Sequence, residues 1–272
     1  MGITVNTNVG SLVAQSYLSG NQSKLSKTLS RLSSGLRVTE AKDDPAGLAI
    51  AQSMASSVRV LKQGSRNGND GVSLLQTAQG AMSQTLDILQ RMREIASQAS
   101  SGTYGSGDLA NLDTEFQALK TEIDRIQVTS TFNGIDLLNG GSVSIQIGEN
   151  NTSNDRISLS LTTTDTTTLT IDGDDVTSQA NGQSALDTLN DAIDTITTGL
   201  ATLGAAQSNL EAAVNSNDTR AVNLDTARSR IMDADYAEES ANLAKYMIMN
   251  QSNVAMLSQA NSSPQLVLKL LG

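Results

Sequence analysis

One stretch constrains the fold more than any other. From residue 186 to residue 231 the positions met by steps of three and four in turn read Leu186, Leu189, Ile193, Ile196, Leu200, Leu203, Gln207, Leu210, Val214, Asn217, Ala221, Leu224, Arg228 and Ile231. Most are apolar, and the spacing is the a/d pattern of a heptad. No proline interrupts it, and its inner glycines are Gly199 and Gly204. A helix over this stretch extends about 70 Å at 1.5 Å per residue. A stripe that narrow must be covered by partner helices, so the expected fold is mainly α, a helical bundle or coiled coil in which the chain's ends pair with each other, with other copies, or both.

Composition agrees. In 272 residues there are two Phe, four Tyr and no Trp, which leaves little aromatic mass for a broad core. The absence of Cys and His excludes disulfides, the usual zinc sites and any Cys or His nucleophile or base. Net charge is −10, with eight Lys/Arg against three Asp/Glu in residues 1–66 and five against fifteen in residues 67–180. Lys24, Lys27, Arg31 and Arg37 are spread around a helix without aromatic companions, which argues against nucleic-acid binding. Residues 1–6 lack the basic and apolar regions of a signal peptide, and no apolar run is long enough for a membrane span.

In chain order, a first helix is expected over 5–36, with Leu18, Leu25 and Leu32 every seven residues, Leu29 and Leu36 in the second seam position, and Gly35 near its end. Asp44-Pro45 reads as an N-cap followed by proline at the first helical position. The glycine-bearing residues 64–71 predict a locally weak helix. From Leu74 two apolar stripes share one helix, Leu74 to Ala99 and Leu75, Met82, Leu86, Leu89 and Ala96, so that one is expected to pack inside the chain and the other to meet a neighbouring copy. A glycine-rich turn at 101–107 leads to a helix carrying Leu109, Leu112, Phe116, Leu119, Ile123 and Ile126. Val143, Ile145 and Ile147 then alternate with polar residues, as do Ile157, Leu159 and Leu161, which predicts a small central β-hairpin near 142–172, with Leu169 and Ile171 hinting at a third short strand. The Thr/Asp-rich segment 162–184 reads as an exposed loop. A break is expected at 232–235. The last helix carries Leu243, Met247, Val254 and Leu257, with Asn250 and Asn261 in its stripe, and Pro264 interrupts it. Buried Asn at such positions fixes register at a cost in stability.

Several segments carry a family resemblance. Leu29-Ser30-Arg31-Leu32-Ser33-Ser34-Gly35-Leu36-Arg37, Ala41-Lys42-Asp43-Asp44-Pro45-Ala46-Gly47, Ser65-Arg66-Asn67-Gly68-Asn69-Asp70-Gly71 and Phe132-Asn133-Gly134 resemble bacterial flagellin. So do Ala227-Arg228-Ser229-Arg230-Ile231, Asp235-Tyr236-Ala237 and Gln259-Ala260-Asn261. The resemblance spans nearly the whole chain except about 150–182, as in a minimal-core flagellin without large outer domains. It implies a homopolymeric filament subunit of the extracellular flagellum, without cofactor, exported unfolded by the flagellar type III apparatus. Residues 1–44 and 234–272 become inner helices and 45–233 the rod, so that the N- and C-terminal regions form a long antiparallel helical bundle or coiled coil. An assembly stripe is expected at Leu18, Leu25, Leu32, Leu243, Met247, Val254 and Leu257. Implied partners are an export chaperone, the filament cap, hook-junction proteins and the flagellin-sensing Toll-like receptor of hosts, the last through Arg91, Ile95 and Glu115. No nucleic acid and no membrane insertion are implied.

The residues also allow plainer readings. Ile95 lies on a heptad stripe, so core packing and exposure both stay open for it. Asp172-Gly173-Asp174-Asp175 has the look of a calcium loop but lacks its remaining ligands and terminal Glu. The Asn-x-Ser/Thr triplets at Asn21 and Asn217 fall on expected helices. An inserted zinc protease needs His-Glu-x-x-His, and the chain has no His. A hook–filament junction protein shares the helical ends and is the alternative.

Overall fold

The computed structural model describes residues 7–271, with side chains through residue 263. Residues 1–6, read above for a leader, lie outside the described residues, as do the side chains of the apolar C-terminal run. The elements are α1 (Val9–Ser34), α2 (Pro45–Ala99), α3 (Ser106–Thr129), β1 (Thr131–Phe132), β2 (Ile135–Asp136), β3 (Ser142–Gln146), β4 (Arg156–Ser160), α4 (Gln179–Met232) and α5 (Tyr236–Leu271). The class is mainly α, as the heptads predict, and the helix pair α1/α5 is antiparallel. Contacts divide the chain into two compact units, Met1–Ser56 with Asn223–Gly272, and Ser57–Val222.

Helix boundaries follow local chemistry. Gly35 ends α1 in the left-handed region at φ 70°, its N–H bonding the Arg31 carbonyl. Asp44 caps α2 by accepting the Gly47 N–H at 2.8 Å, and Pro45 follows with no N–H to lose. A β-carbon on Gly47 would lie 2.2 Å from that Asp44 carboxylate, so a side chain there would force the carboxylate into another rotamer. Helix α5 continues through Pro264 rather than stopping there.

The second unit holds the apolar core. Leu75, Met82, Leu89, Met92 and Ile95 of α2 pack in one cluster with Phe116 and Ile123 of α3 and Leu189, Ile196 and Leu203 of α4. Both stripes of α2 are buried or half-buried within this unit, which corrects the expectation that one is free for a neighbouring copy. The reason is that α3, α4 and the β segment together surround the helix.

Residues 64–71 are fully helical rather than weak. Gly64, Gly68 and Gly71 share one face, and β-carbons there would lie 2.0 Å from the Ile147 carbonyl oxygen, 2.5 Å from Val214 and 3.1 Å from Leu210. The glycines let β3 and α4 approach the helix backbone. Asn67 donates to the Gln146 carbonyl at 2.9 Å and Asn217 to the Ile147 carbonyl at 3.0 Å, seating the hairpin.

Strands β3 and β4 pair antiparallel, with Val143 opposite Leu159 and Ile145 opposite Ile157. A second hairpin, β1–β2, turns at Asn133 and Gly134, whose φ values of 50° and 79° fit a two-residue Asn-Gly turn. The expected third strand does not form: Leu169 lies in a turn, and neither it nor Ile171 joins a ladder, yet both are buried. Nor is the 162–184 segment simply exposed. Thr164, Thr166, Leu169, Ile171 and Val176 are buried. Helix α3 makes this possible by answering the segment's polar groups from one face. Asp113 accepts the Val176 N–H at 3.0 Å, and Asp124 accepts the Thr166 N–H at 3.0 Å. Lys120 donates to the carbonyls of Asp172 and Asp174. Irregular backbone satisfied in this way can be buried, and the cation gathered by the acidic stretch is the Lys120 ammonium.

Candidate assembly surface

In the first unit, α1 and α5 are joined by polar rungs. Asn8 donates to the Ala260 carbonyl at 2.8 Å, Asn21 to the Tyr246 carbonyl at 2.9 Å and Tyr236 to the Leu32 carbonyl at 2.8 Å. Arg31 meets Glu239 at 2.9 Å, and Asn250 donates to Gln22 at 3.0 Å. Asn250 is thus partnered, as a register-setting Asn requires, but the more deeply buried register residues are Asn21 and Glu239, at 4% and 7% exposure. In the sequence Asn21 stands out only as the start of an Asn-x-Ser triplet.

What the pair lacks is an apolar interior. The buried residues of α1 are Asn21 and Thr28. Among the described residues of α5, Glu239 alone is buried. Leu18, Leu25, Leu32, Leu243 and Leu257 of the expected stripe are half-buried, and Met247 and Val254 are exposed, at 49% and 53%. Leu29, expected in the seam, is also exposed, because the seam is set by Leu18, Asn21, Leu25, Thr28 and Leu32. Further apolar side chains stand in the open: Val9, Leu12, Val13 and Tyr17 on α1, and Ile248, Met249 and Met256 on α5. Met247, Ile248 and Met249 are consecutive, so α5 shows apolar groups around most of its circumference. A helix of that kind is covered on several sides when its structure is complete. The sequence signal of this is the consecutive triplet, which does not belong to any single stripe.

The connector between α1 and α2 is held by charge. Lys27 lies 2.7 Å from Asp43, and the Thr39 N–H and hydroxyl donate to the same carboxylate at 3.3 and 3.2 Å. The Lys27 hydrogen bond holds the Asp43 carboxyl well below the usual carboxylate range.

Arg91, Ile95 and Glu115 belong to the second unit. Arg91 bonds Glu115 of α3 at 2.8 and 3.0 Å, and Glu94 at 3.0 Å, on the exposed surface. Those bonds, Glu115 first, raise the Arg91 guanidinium above its ordinary pKa. Ile95 is 1% exposed, within the core. The structure therefore brings Arg91 and Glu115 together and places Ile95 beneath the surface. Among the described residues no group of three or more acidic side chains gathers as a metal site, and no helix is long and apolar enough to cross a membrane.

A closed helical core in one unit and an unclosed, apolar helix pair in the other define a structural subunit built for self-association. The sequence matches the bacterial flagellin N-terminal helical region over residues 5–142 and the bacterial flagellin C-terminal helical region over residues 186–271. It is 41% identical to a flagellin of Halalkalibacterium halodurans over 98% of this chain and 99% of that protein, and 37% identical to a flagellin of Bacillus subtilis over the same shares. The crystal structure of Bacillus cereus flagellin matches with a TM-score of 0.50 and 33% identity, covering 56% of this chain and 88% of that one. A putative flagellar hook-associated protein from Vibrio parahaemolyticus, at 14% identity and a TM-score of 0.59, shares the fold. The chain belongs to the bacterial flagellin family. It is a structural protein and not an enzyme, a subunit of the flagellar filament that self-assembles into the extracellular flagellum.

Proposed function

We propose that copies of this chain meet through the α1/α5 pair, with Leu18, Leu25, Leu32, Leu243, Met247, Val254 and Leu257 as its working stripe. The observation that carries this reading is that the pair buries polar side chains and leaves its apolar ones half-buried or exposed. Neighbouring copies then supply the burial that the pair lacks, at roughly 25 cal/mol per Å² of apolar surface removed from water. Leu257→Asp tests it. A charge in an apolar seam costs several kcal/mol, so seeded polymerisation followed by light scattering should stop while the core of the second unit stays folded by circular dichroism. Normal growth by Leu257→Asp rules the stripe out.

Family membership supports the remaining readings. The subunit leaves the cell unfolded through the flagellar type III apparatus, and its partners are the export chaperone, the filament cap and the hook-junction proteins. The ion pair of Arg91 and Glu115 is the surface offered to the flagellin-sensing Toll-like receptor, with Ile95 supporting it from below. Arg91→Ala should weaken receptor signalling by the free subunit, and unchanged signalling counts against that contact. The junction-protein alternative has a shared fold for it, whereas the full-length relatives favour the filament subunit.

A further inference from the structure

We propose that Met247, Met249 and Met256 form an oxidation site that switches off assembly of the free subunit. The inference rests on the reading of the α1/α5 pair as the meeting surface. The chain has eight Met and no Cys, so thioethers are the sulfur that an oxidant meets. Met82 and Met92 are fully buried in the core of the second unit. Met247, Met249 and Met256 fall within ten residues of α5 and are 49%, 40% and 65% exposed. Met249 and Met256 are seven residues apart and share a helix face. Met247 lies on the opposite flank, where it lines a groove with Leu25 and Val254. Sulfur thus stands on both sides of the α1 seam, among the apolar groups that a neighbouring copy would cover.

The chemistry is a two-electron oxygen transfer from a peroxide. The thioether sulfur attacks one peroxide oxygen, the O–O bond breaks, an S=O bond forms, and water leaves with the remaining oxygen. Sulfur is oxidised and the peroxide reduced. The product exchanges an apolar, flexible side chain for a polar one. Ile248 and Val254, its neighbours on α5, have no side-chain donor for the new oxygen, and an unpaired polar group is costly to bury. Every copy carries the same sites, so the penalty recurs at each step of growth. Methionine sulfoxide reductases reverse the reaction, which makes the site a switch.

The test treats unassembled protein with hydrogen peroxide, maps oxidation by peptide mass, and follows seeded polymerisation. Oxidation should reach Met247, Met249 and Met256 before Met82 and Met92, and growth should fall by about tenfold or more. Methionine sulfoxide reductases should restore it. In the Met247→Leu/Met249→Leu/Met256→Leu variant, peroxide should lower growth far less than it does in the parent, each measured against its own untreated rate. Should that variant fail to polymerise, reductase recovery of the parent decides the matter, and absent recovery overturns the proposal. Growth at the untreated rate by protein carrying the three sulfoxides overturns it, as does equal inhibition of the triple variant. Leu257→Asp runs in parallel. If sulfoxide protein grows normally and Leu257→Asp does not, the switch alone fails. If both grow normally, the meeting surface has been misassigned as well.

Discussion

Gly64 on α2 and Ile147 beyond β3 adjoin with no room for a methyl group between them, since a β-carbon on Gly64 would fall 2.0 Å from the Ile147 carbonyl oxygen. That oxygen also accepts the Asn217 amide at 3.0 Å, so it cannot retreat without breaking a buried hydrogen bond. Helix propensity favours alanine over glycine by about 0.5–1 kcal/mol, while forced overpacking costs typically 1–3 kcal/mol. Gly64→Ala should therefore destabilise the chain. Gly80→Ala, with no atom within 4 Å, should stabilise it by roughly 0.5–1 kcal/mol. Chemical denaturation of the two variants checks this, and similar gains in both would show that the hairpin does not depend on the gap.

Lys120 should hold the 163–178 segment in place. Its ammonium serves two backbone carbonyls, and hydrogen bonds to charged groups contribute about 1.5–3 kcal/mol. In Lys120→Met, hydrogen exchange should rise across that segment first. Unchanged protection at Thr166 and Ile171 would mean that Asp113, Asp124 and the apolar contacts suffice.

Acid should loosen the connector between α1 and α2. Asp43 has a depressed pKa in the folded chain, so its contribution is present above the unfolded carboxylate value near 4 and is lost as pH falls from there toward the folded value. The Thr39 amide signal should shift below about pH 4. Lys27→Met raises the folded pKa, so its transition should come at higher pH. Coincident transitions would remove Lys27 as the cause.

Arg31 and Glu239 should behave as a pair in assembly. Glu239 is 7% exposed, and Arg31→Leu leaves its charge without that partner at roughly 1–3 kcal/mol. The critical concentration for growth should rise in Arg31→Leu and recover in part in the exchange Arg31→Glu/Glu239→Arg. No recovery would mean that orientation, not the charge pair, is what the site requires.

The sequence shows this fold best where a period persists. The heptads of α2, α3 and α4 announce long helices, and the alternation around Ile145 and Ile157 announces a hairpin. It shows least where burial has no period. Leu161, Leu169, Ile171 and Val176 follow no repeat, and their burial depends on Asp113, Lys120 and Asp124 of another element. Gly64, Gly68 and Gly71 look like helix breakers until the partner backbone against them is known. Asn133-Gly134 carries a turn signal, but the two-residue strands it joins are too short to show an alternation. For the assembly surface, the leucine repeats located α1 and α5. The all-round apolar character of α5 was visible in Met247-Ile248-Met249, but its exposure follows from the α1 seam lying elsewhere, on Leu243, Tyr246, Asn250, Asn253 and Leu257.

Helices α1 and α5 should depend on neighbouring copies for their stability. A helix pair without a buried apolar interior is marginal in water, whereas the second unit has its own core. Hydrogen exchange read by mass spectrometry on free subunit and on filament tests this most directly. Exchange should be fast through Val9–Ser34 and from residue 236 onward in the free subunit, slow in both in the filament, and slow around Leu89, Phe116 and Ile196 in either state. Protection of α1 and α5 in the free subunit equal to that of the core would contradict that dependence.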